Sequence, residues 1–323
     1  ISGTPTAGGN ISFDLKAELV TTGNVATGCS DTKTRSINIS CPSFTVGTPL
    51  NTGALSVAYS GSSVASPAAP SGFKYQYSLA NNTALPGGLT LDAATGAISG
   101  TPTVGGNFSF DLKAELLTAG NAATGCSSTQ TRSLNVTCVS NPVVQNLNDS
   151  GTGSLREAIA RACVGSTITF AQGLSGTLTL TSGDLVIDKS LTIEGPGAQT
   201  LTLSGNQQWR IFTLRGGPYT ITLAGLNLIN GNGASQIPLY NDSLGGAIYN
   251  SNVGTTTLRE VAISGSTGVL GGAIEFGSGF DSVPTTNLIR CTLSGNTSTA
   301  SQGGAGIDLR TFGTLNVSNS TIA

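Results

Sequence analysis

The chain contains no histidine and no methionine. The first absence removes the imidazole from every catalytic scheme: no histidine general acid or base, no triad built on one, no histidine metal ligand. Charge is scarce too. Asp, Glu, Lys and Arg make up 9% of the residues and the formal net charge is −2, so no electrostatic surface for nucleic acid or an anionic membrane is expected. Aromatics are 5% of the chain, with one Trp. No apolar run approaches the ~20 residues that span a bilayer, so no transmembrane segment is expected in this piece. With no methionine available, Ile1 is expected to arise from processing or from an internal boundary.

What is present points one way. Glycine is abundant at 45 residues, hydrophobic residues reach 38%, and Ser, Thr and Asn crowd the chain. Low net charge with that apolar content argues against disorder. The balance fits an all-β protein whose turns use Gly and Asn and whose strands use Thr, Val, Ile and Leu.

An internal repeat organises the first part. Residues 1–41 and 98–138 match at 31 of 41 positions, at an offset of 97. A unit of roughly 100 residues has the size of an immunoglobulin-type sandwich. Residues 42–138 are read as one complete repeat, and residues 1–41 as the C-terminal part of another. Within the complete repeat, Leu55–Tyr59, Phe73–Leu79, Phe108–Leu116 and Arg132–Val136 alternate apolar and polar as half-buried strands do. In the Phe108 segment, Phe108, Phe110, Leu112 and Ala114 share a core face, while Ser109, Asp111, Lys113 and Glu115 share a solvated one. The stretch LPGGLTLDAATGAISGTPT at 85–103, followed by a strand and a late Gly-Cys, resembles the immunoglobulin-like, cadherin-related repeats of large bacterial surface proteins. The resemblance implies a spacer role, and in some relatives calcium between domains. Asp92 is the single acidic residue in that stretch. A calcium ion wants six or more oxygens, so Asp92 is read as a turn residue and no cofactor is expected.

The six cysteines carry no CxxC pair, which argues against zinc and for structural disulfides in an oxidising compartment. Cys126 precedes the last strand of its repeat and Cys138 ends it. At about 3.3 Å per residue those two lie too far apart for the ~6 Å Cα spacing of a bridge. The expected pairs are therefore Cys41–Cys126 and Cys138–Cys163, with Cys29 unpaired or paired upstream. The competing scheme, Cys29–Cys41 and Cys126–Cys138, requires the intervening segments to fold back as hairpins.

From Asn146 the pattern changes. Ser154 and Glu157 have capping-box spacing, and Leu155, Ala158, Ile159 and Ala162 form an apolar helical stripe. The phrase NDSGTGSLREAI resembles the SLREA-type leader that precedes parallel β-helices in bacterial surface proteins. Residues 139–166 are thus read as linker and capping helix. Beyond them, Ile221–Leu228, Thr256–Ile263, Thr286–Leu293 and Leu315–Ile322 align as apolar pairs at i, i+2 and i+5, i+7. The phrase GGAI recurs at 245–248 and 271–274, with GGAGI at 303–307. Such phased phrases mark a solenoid. Residues 167–323 are read as a right-handed parallel β-helix of the pectate-lyase type, truncated at its C-terminal end. The GGAI phrases are also similar to those of polymorphic outer-membrane proteins, which implies adhesion. Cys291 falls in the inward register of Leu226 and Val261 and is read as a buried thiol.

Catalysis is not expected. The β-helix acids Asp184, Asp188, Glu194, Asp242, Glu260, Glu275, Asp281 and Asp308 form no D-x-D or E-x-D cluster, although residues one rung apart stack at about 4.8 Å. Glu260 and Arg290 fall at rung corners. Trp209 and Phe212 are the candidate ligand contacts. The leading expectation is an extracellular structural and adhesive protein at a bacterial-type cell surface, with sandwich repeats as stalk and β-helix as rod. Its partners would be other copies of itself, or cell-surface or carbohydrate ligands. The alternatives are a subunit of an extracellular filament or sheath that completes its ends with a neighbour's strands, and a carbohydrate-binding or carbohydrate-cleaving β-helix.

Overall fold

The computed structural model describes residues 8–47, 50–233, 245–251, 254–276, 284–309 and 313–323. The chain forms two compact units, Ile1–Thr137 and Cys138–Ala323. No helix among the described residues is long and apolar enough to cross a membrane.

The first unit opens with an antiparallel hairpin of β1 (Gly9–Val20) and β2 (Ala26–Ile39). Short strands follow: β3 (Thr45–Val46), β4 (Gly53–Ala54), β5 (Tyr59–Ser62), β6 (Ala65–Ser66), β7 (Phe73–Ala80), β8 (Leu89–Leu91) and β9 (Ala97–Gly100). Two long strands, β10 (Gly106–Thr118) and β11 (Ala123–Thr137), complete it. A four-stranded sheet runs β4-β11-β10-β7, beside a three-stranded sheet β5-β9-β8 and the pair β3-β6. This is an immunoglobulin-like β fold. The alternation in β10 holds from Phe110 onward: Phe110, Leu112 and Ala114 are fully buried, while Asp111, Lys113 and Glu115 are only half-buried; Phe108, near the strand's start and expected on the core face, is itself only half-buried. Val46, Ala65 and Tyr77 close over Leu112 and Ala114, and the Ala65 amide donates to the Tyr77 hydroxyl at 2.9 Å, so the buried phenol is satisfied.

One expected strand is absent. Leu55–Tyr59 alternates, yet the chain turns at Leu55–Val57, with Ser56 at φ 58. Leu55 and Tyr59 are buried because the turn drops both into the core.

The second unit is a parallel β-helix with three faces. The first face stacks Val143–Val144, Thr167–Phe170, Leu191–Glu194, Thr220–Ala224, Thr255–Arg259, Thr285–Ile289 and Thr314–Ser318. The second stacks six strands from Gly176–Thr179 to Thr321–Ile322, and the third stacks five from Leu185–Ile187 to Ile307–Leu309. Identical positions lie above one another, as Ile193, Leu223, Leu258 and Leu288 do on the first face and Leu178, Leu203, Leu228, Ile263 and Leu293 on the second. These columns form one continuous core. At about 25 cal/mol per Å² of apolar surface, each added rung is stabilised by the leucines and isoleucines it seals against its neighbours.

Residues 139–166 are more than a linker. Val143–Val144 pairs in parallel with Thr169–Phe170 and so heads the first face. The helix α1 (Leu155–Arg161) then lays Leu155, Ala158 and Ile159 on the end of the core. Ser154 accepts from the Glu157 amide at 3.2 Å, and the Glu157 carboxylate accepts from the Gly153 amide at 2.6 Å. Lys189, from the next rung, donates to the Ala160 and Ala162 carbonyls and satisfies the helix C-terminus.

The GGAI phrase has a steric cause. A Cβ on Gly245, Gly271 or Gly304 would sit 2.0–2.1 Å from the carbonyl oxygen three residues ahead, and one on Gly246 or Gly272 would meet the next rung's carbonyl at 2.0–2.2 Å. The turn into the third face is therefore closed to any side chain.

Candidate functional site

The outward register of the third face aligns Val186, Thr213, Tyr249, Glu275 and Asp308 on five successive strands. Parallel pairing alone brings these residues together, because they are separated by roughly a rung each in sequence. Glu275 and Asp308 are direct register neighbours, and Glu275 is fully buried. Arg210 is the centre of this stack. It is 3% exposed, donates through Nε to the Gly245 carbonyl at 2.9 Å, and donates through Nη1 to Thr213 Oγ1 at 3.1 Å and Asp184 Oδ2 at 3.4 Å. The Thr213 hydroxyl also donates to Asp184. The guanidinium carbon lies 5.2 Å from the Tyr249 ring centroid, a cation–π distance. Sequence reasoning missed Arg210 as a centre, since one arginine beside a tryptophan carries no periodic signal.

Other charged groups form braces between rungs. Asp149 accepts from Arg156 at 2.6 Å and from the Thr181 and Ser182 hydroxyls. Burial works against the Asp149 carboxylate, but these hydrogen bonds and the Arg156 charge outweigh it and hold the group below the usual range. Arg156 also donates to the Gly183 and Asp184 carbonyls at 2.6 and 2.7 Å, tying α1 to the coil. Arg259 reaches across one rung to Glu194, 2.8 Å to each oxygen. Arg290 donates to Glu260 at 2.6 and 3.0 Å, and this bonding depresses the Glu260 carboxyl. Glu260 and Arg290 sit at the same corner as Gly225 and Asn319, and all four have φ between 49° and 61°. Left-handed backbone at a charged residue costs about 1–2 kcal/mol, so these corners are set by the coil, not by local preference. An amide ladder also runs along the first face: Asn316 donates to Asn287 at 2.9 Å, and Asn287 to Thr257 at 3.2 Å.

The structure bridges Cys41 to Cys126, with Cα atoms 5.4 Å apart, and Cys138 to Cys163, at 5.0 Å. Cys29 is free and exposed; Cys291 is free and buried. Burial raises the Cys291 thiol, and its Sγ donates to the Leu258 carbonyl at 3.3 Å.

The aromatic pair needs a correction. Phe212 is fully buried in the core column between Leu185 and Ile248, so its ring does not reach a ligand. Trp209 is half-buried and packs against that core, with its indole N–H buried and unbonded among the described residues. Asp92 accepts from the Ala94 and Thr95 amides, both at 2.8 Å on Oδ1, which depresses the carboxyl and makes it a turn cap. That donor set does not fit calcium. Among the described residues no group of three or more acidic or cysteine side chains is placed to hold a metal. Asp242 and Asp281 lie outside the described residues.

In the sandwich, a shallow groove of about 430 Å³ is lined by Phe73, Lys74, Tyr75, Gln76, Ala94 and Asn121 among others. Tyr75 packs on Phe44 and donates its hydroxyl to the Pro67 carbonyl at 3.0 Å.

Residues 40–137 match the family described as "Putative Ig domain". No curated protein matches the chain. Among solved structures, it is similar to a "putative alpha-galactosidase/melibiase" from Bacteroides fragilis, at 18% identity and a TM-score of 0.21, over 41% of this chain and 29% of that one. It is also similar to a "putative alpha-galactosidase" from the same organism, at 13% identity and a TM-score of 0.21, over 58% and 56% of the two chains. The chain thus spans less than two thirds of either structure's length, and likeness at this level carries no argument about activity.

Proposed function

We propose that this is an extracellular structural and adhesive surface protein, in which the immunoglobulin-like fold is a spacer and the β-helix a stiff rod that displays its faces. The observation that carries this reading is the use of charge in the β-helix. Asp149, Asp184, Glu194 and Glu260 are each bridged to an arginine, at 2.6–3.4 Å. The chain spends its few charges on braces between rungs and on tying the cap to the coil. Two disulfides add covalent ties, which persist in oxidising compartments outside the cytosol. The test is retention of protein-coated beads on polysaccharide-coated and cell-surface-coated slides, with release of reducing or unsaturated sugar ends measured alongside. Retention without sugar release is expected. Sustained sugar release by the purified chain would replace this reading with an enzymatic one.

A second reading, a carbohydrate-binding or carbohydrate-cleaving β-helix, is favoured by the third-face stack. There Glu275 and Asp308 are register neighbours on adjacent strands beside the Arg210–Tyr249 pair, so two acidic side chains face the same side of the coil, as glycosidase chemistry requires. Burial of Glu275 ranks it second. Oligosaccharide binding that Glu275→Gln and Asp308→Asn both abolish, with the fold intact, would raise it to first.

A further inference from the structure

The three faces of the coil differ in what they turn outward. On the first face, Thr167, Thr192, Thr222, Thr257, Asn287 and Asn316 stand in one outward column. Thr220, Thr255, Thr285 and Thr314 stand in a second, two residues earlier on each strand. Every residue in both columns is a threonine or an asparagine, and the strands that carry them pair without a register shift. Strand propensity alone does not produce such an array. It favours valine and isoleucine as much as threonine, and the outward columns of the other faces are mixed. Asn227, Ala262 and Thr292 follow one another on the second face, and Tyr249, Glu275 and Asp308 on the third.

The array is spaced and held like a lattice. Successive rungs lie about 4.8 Å apart, and positions i and i+2 on one strand about 6.7 Å apart. Threonine is β-branched and stiff at χ1, so each hydroxyl and methyl keeps its place. The residues that alternate with the threonines are anchored inward: Ile221 and Leu223, Thr256 and Leu258, and Thr286 and Leu288 are buried. Thr222, Thr255, Thr257 and Thr285 are each half-buried. Hydrogen bonds between side chains run along a column, from Asn316 to Asn287 at 2.9 Å and from Asn287 to Thr257 at 3.2 Å. On one side the array ends at Glu194 and Arg259, which are bonded to each other at 2.8 Å.

We infer that the first face of the coil is an ice-binding surface, whose ligand is the water lattice of a growing ice crystal. The prism faces of hexagonal ice repeat their oxygen positions at nearly the two distances of this array. Hydroxyls and methyls fixed at those spacings hold waters where a growing crystal can share them. Binding by groups already in place forgoes the cost of ordering them, as for any preorganised surface. The two columns carry no charged and no aromatic side chain. The first property suits a neutral lattice. The second separates this ligand from a sugar chain, whose rings would call for an aromatic platform. This activity goes beyond the spacer-and-rod role and stands whether or not the chain adheres to cells.

The test grows ice slowly in a dilute solution of the full chain and measures protein in the ice and in the remaining liquid, together with the gap between melting and freezing points. The chain should be enriched in the ice over a non-binding control protein, and should open a gap. Thr222→Tyr with Thr257→Tyr should abolish both readings, because two rings raised from the middle of the array hold the other threonines off a flat crystal. Tyrosine is a good strand residue, and unchanged far-ultraviolet dichroism checks that the coil is intact. Thr177→Tyr with Thr292→Tyr, at exposed positions of the second face, should leave both readings at the wild-type level. Should the first pair disturb the stack, Thr255→Lys, whose side chain lengthens toward solvent from the same array, must give the same loss. Exclusion of the folded wild-type chain from ice, or equal readings for the first-face and second-face variants, overturns the inference. Binding to microcrystalline cellulose or chitin without enrichment in ice overturns it as well, in favour of a crystalline polysaccharide.

Discussion

Single side chains in this protein act mainly as ties. Asp149 is the clearest case, a carboxylate 7% exposed with three donors from α1 and the adjoining rung. Asp149→Asn should lower the stability of the β-helix unit by about 2–3 kcal/mol, as loss of a charged hydrogen-bonded pair does, measured by thermal unfolding. The pH dependence follows from its depressed carboxyl. The folded group binds its proton less readily than the unfolded one, so its contribution is complete above the unfolded value of about 3.9 and is lost as pH falls through the folded one. Wild-type unfolding temperature should therefore drop more steeply below pH 4 than that of Asp149→Asn. Arg210→Ala should cost about 3–5 kcal/mol, because it strips the counter-charge from Asp184 and leaves a hole beside Tyr249. Arg210→Lys should recover only part of this, since a lysine cannot match three separate acceptors with a planar fork. Neither Asp149 nor Arg210 stands out in the sequence. Their partners lie up to 35 residues away, and only rung stacking brings them together. Phe212 is the reverse case. Read as the neighbour of Trp209 it looks like a ligand platform, but Phe212-Thr-Leu214 fits the same i, i+2 apolar pair as Leu185-Val-Ile187, and that period places its ring inside.

At the scale of elements, much was legible because the same local rules recur. The offset of 97 locates both hairpins, the capping box locates α1, and the aligned apolar pairs locate the first and second faces. The misreadings share a cause. Leu55–Tyr59 alternates like a strand although Ser56 turns the chain, and residues 139–146 look like a linker although Val143–Val144 opens the coil. Two-residue strands carry too few positions for a period to show. The GGAI turns invite a sharp test. Gly271→Ala or Gly272→Ala forces a Cβ within about 2 Å of a carbonyl oxygen and should cost about 3 kcal/mol or more. Far-ultraviolet dichroism during thermal unfolding would read that loss, and a change under 1 kcal/mol would show that the turn yields easily. The disulfides act inside separate units. Cys41–Cys126 closes 85 residues and Cys138–Cys163 closes 25, worth about 4.6 and 3.5 kcal/mol by loop entropy. Replacing Cys41 and Cys126 by Ala should lower the unfolding temperature of the sandwich transition and leave the β-helix transition in place.

The whole molecule joins an immunoglobulin-like unit closed by Cys41–Cys126 to a solenoid held by stacked columns, ionic braces and Cys138–Cys163. The proposed spacer-and-rod role predicts that those ties resist when the chain is pulled. The direct measurement is single-molecule extension of the full chain between its ends, first oxidised and then in reductant. Cooperative rupture steps are predicted in both states. The 85 residues inside Cys41–Cys126 should contribute nothing to the oxidised extension and should appear as about 300 Å of added contour after reduction. Extension to full contour at low force, without rupture steps, would contradict the proposed role.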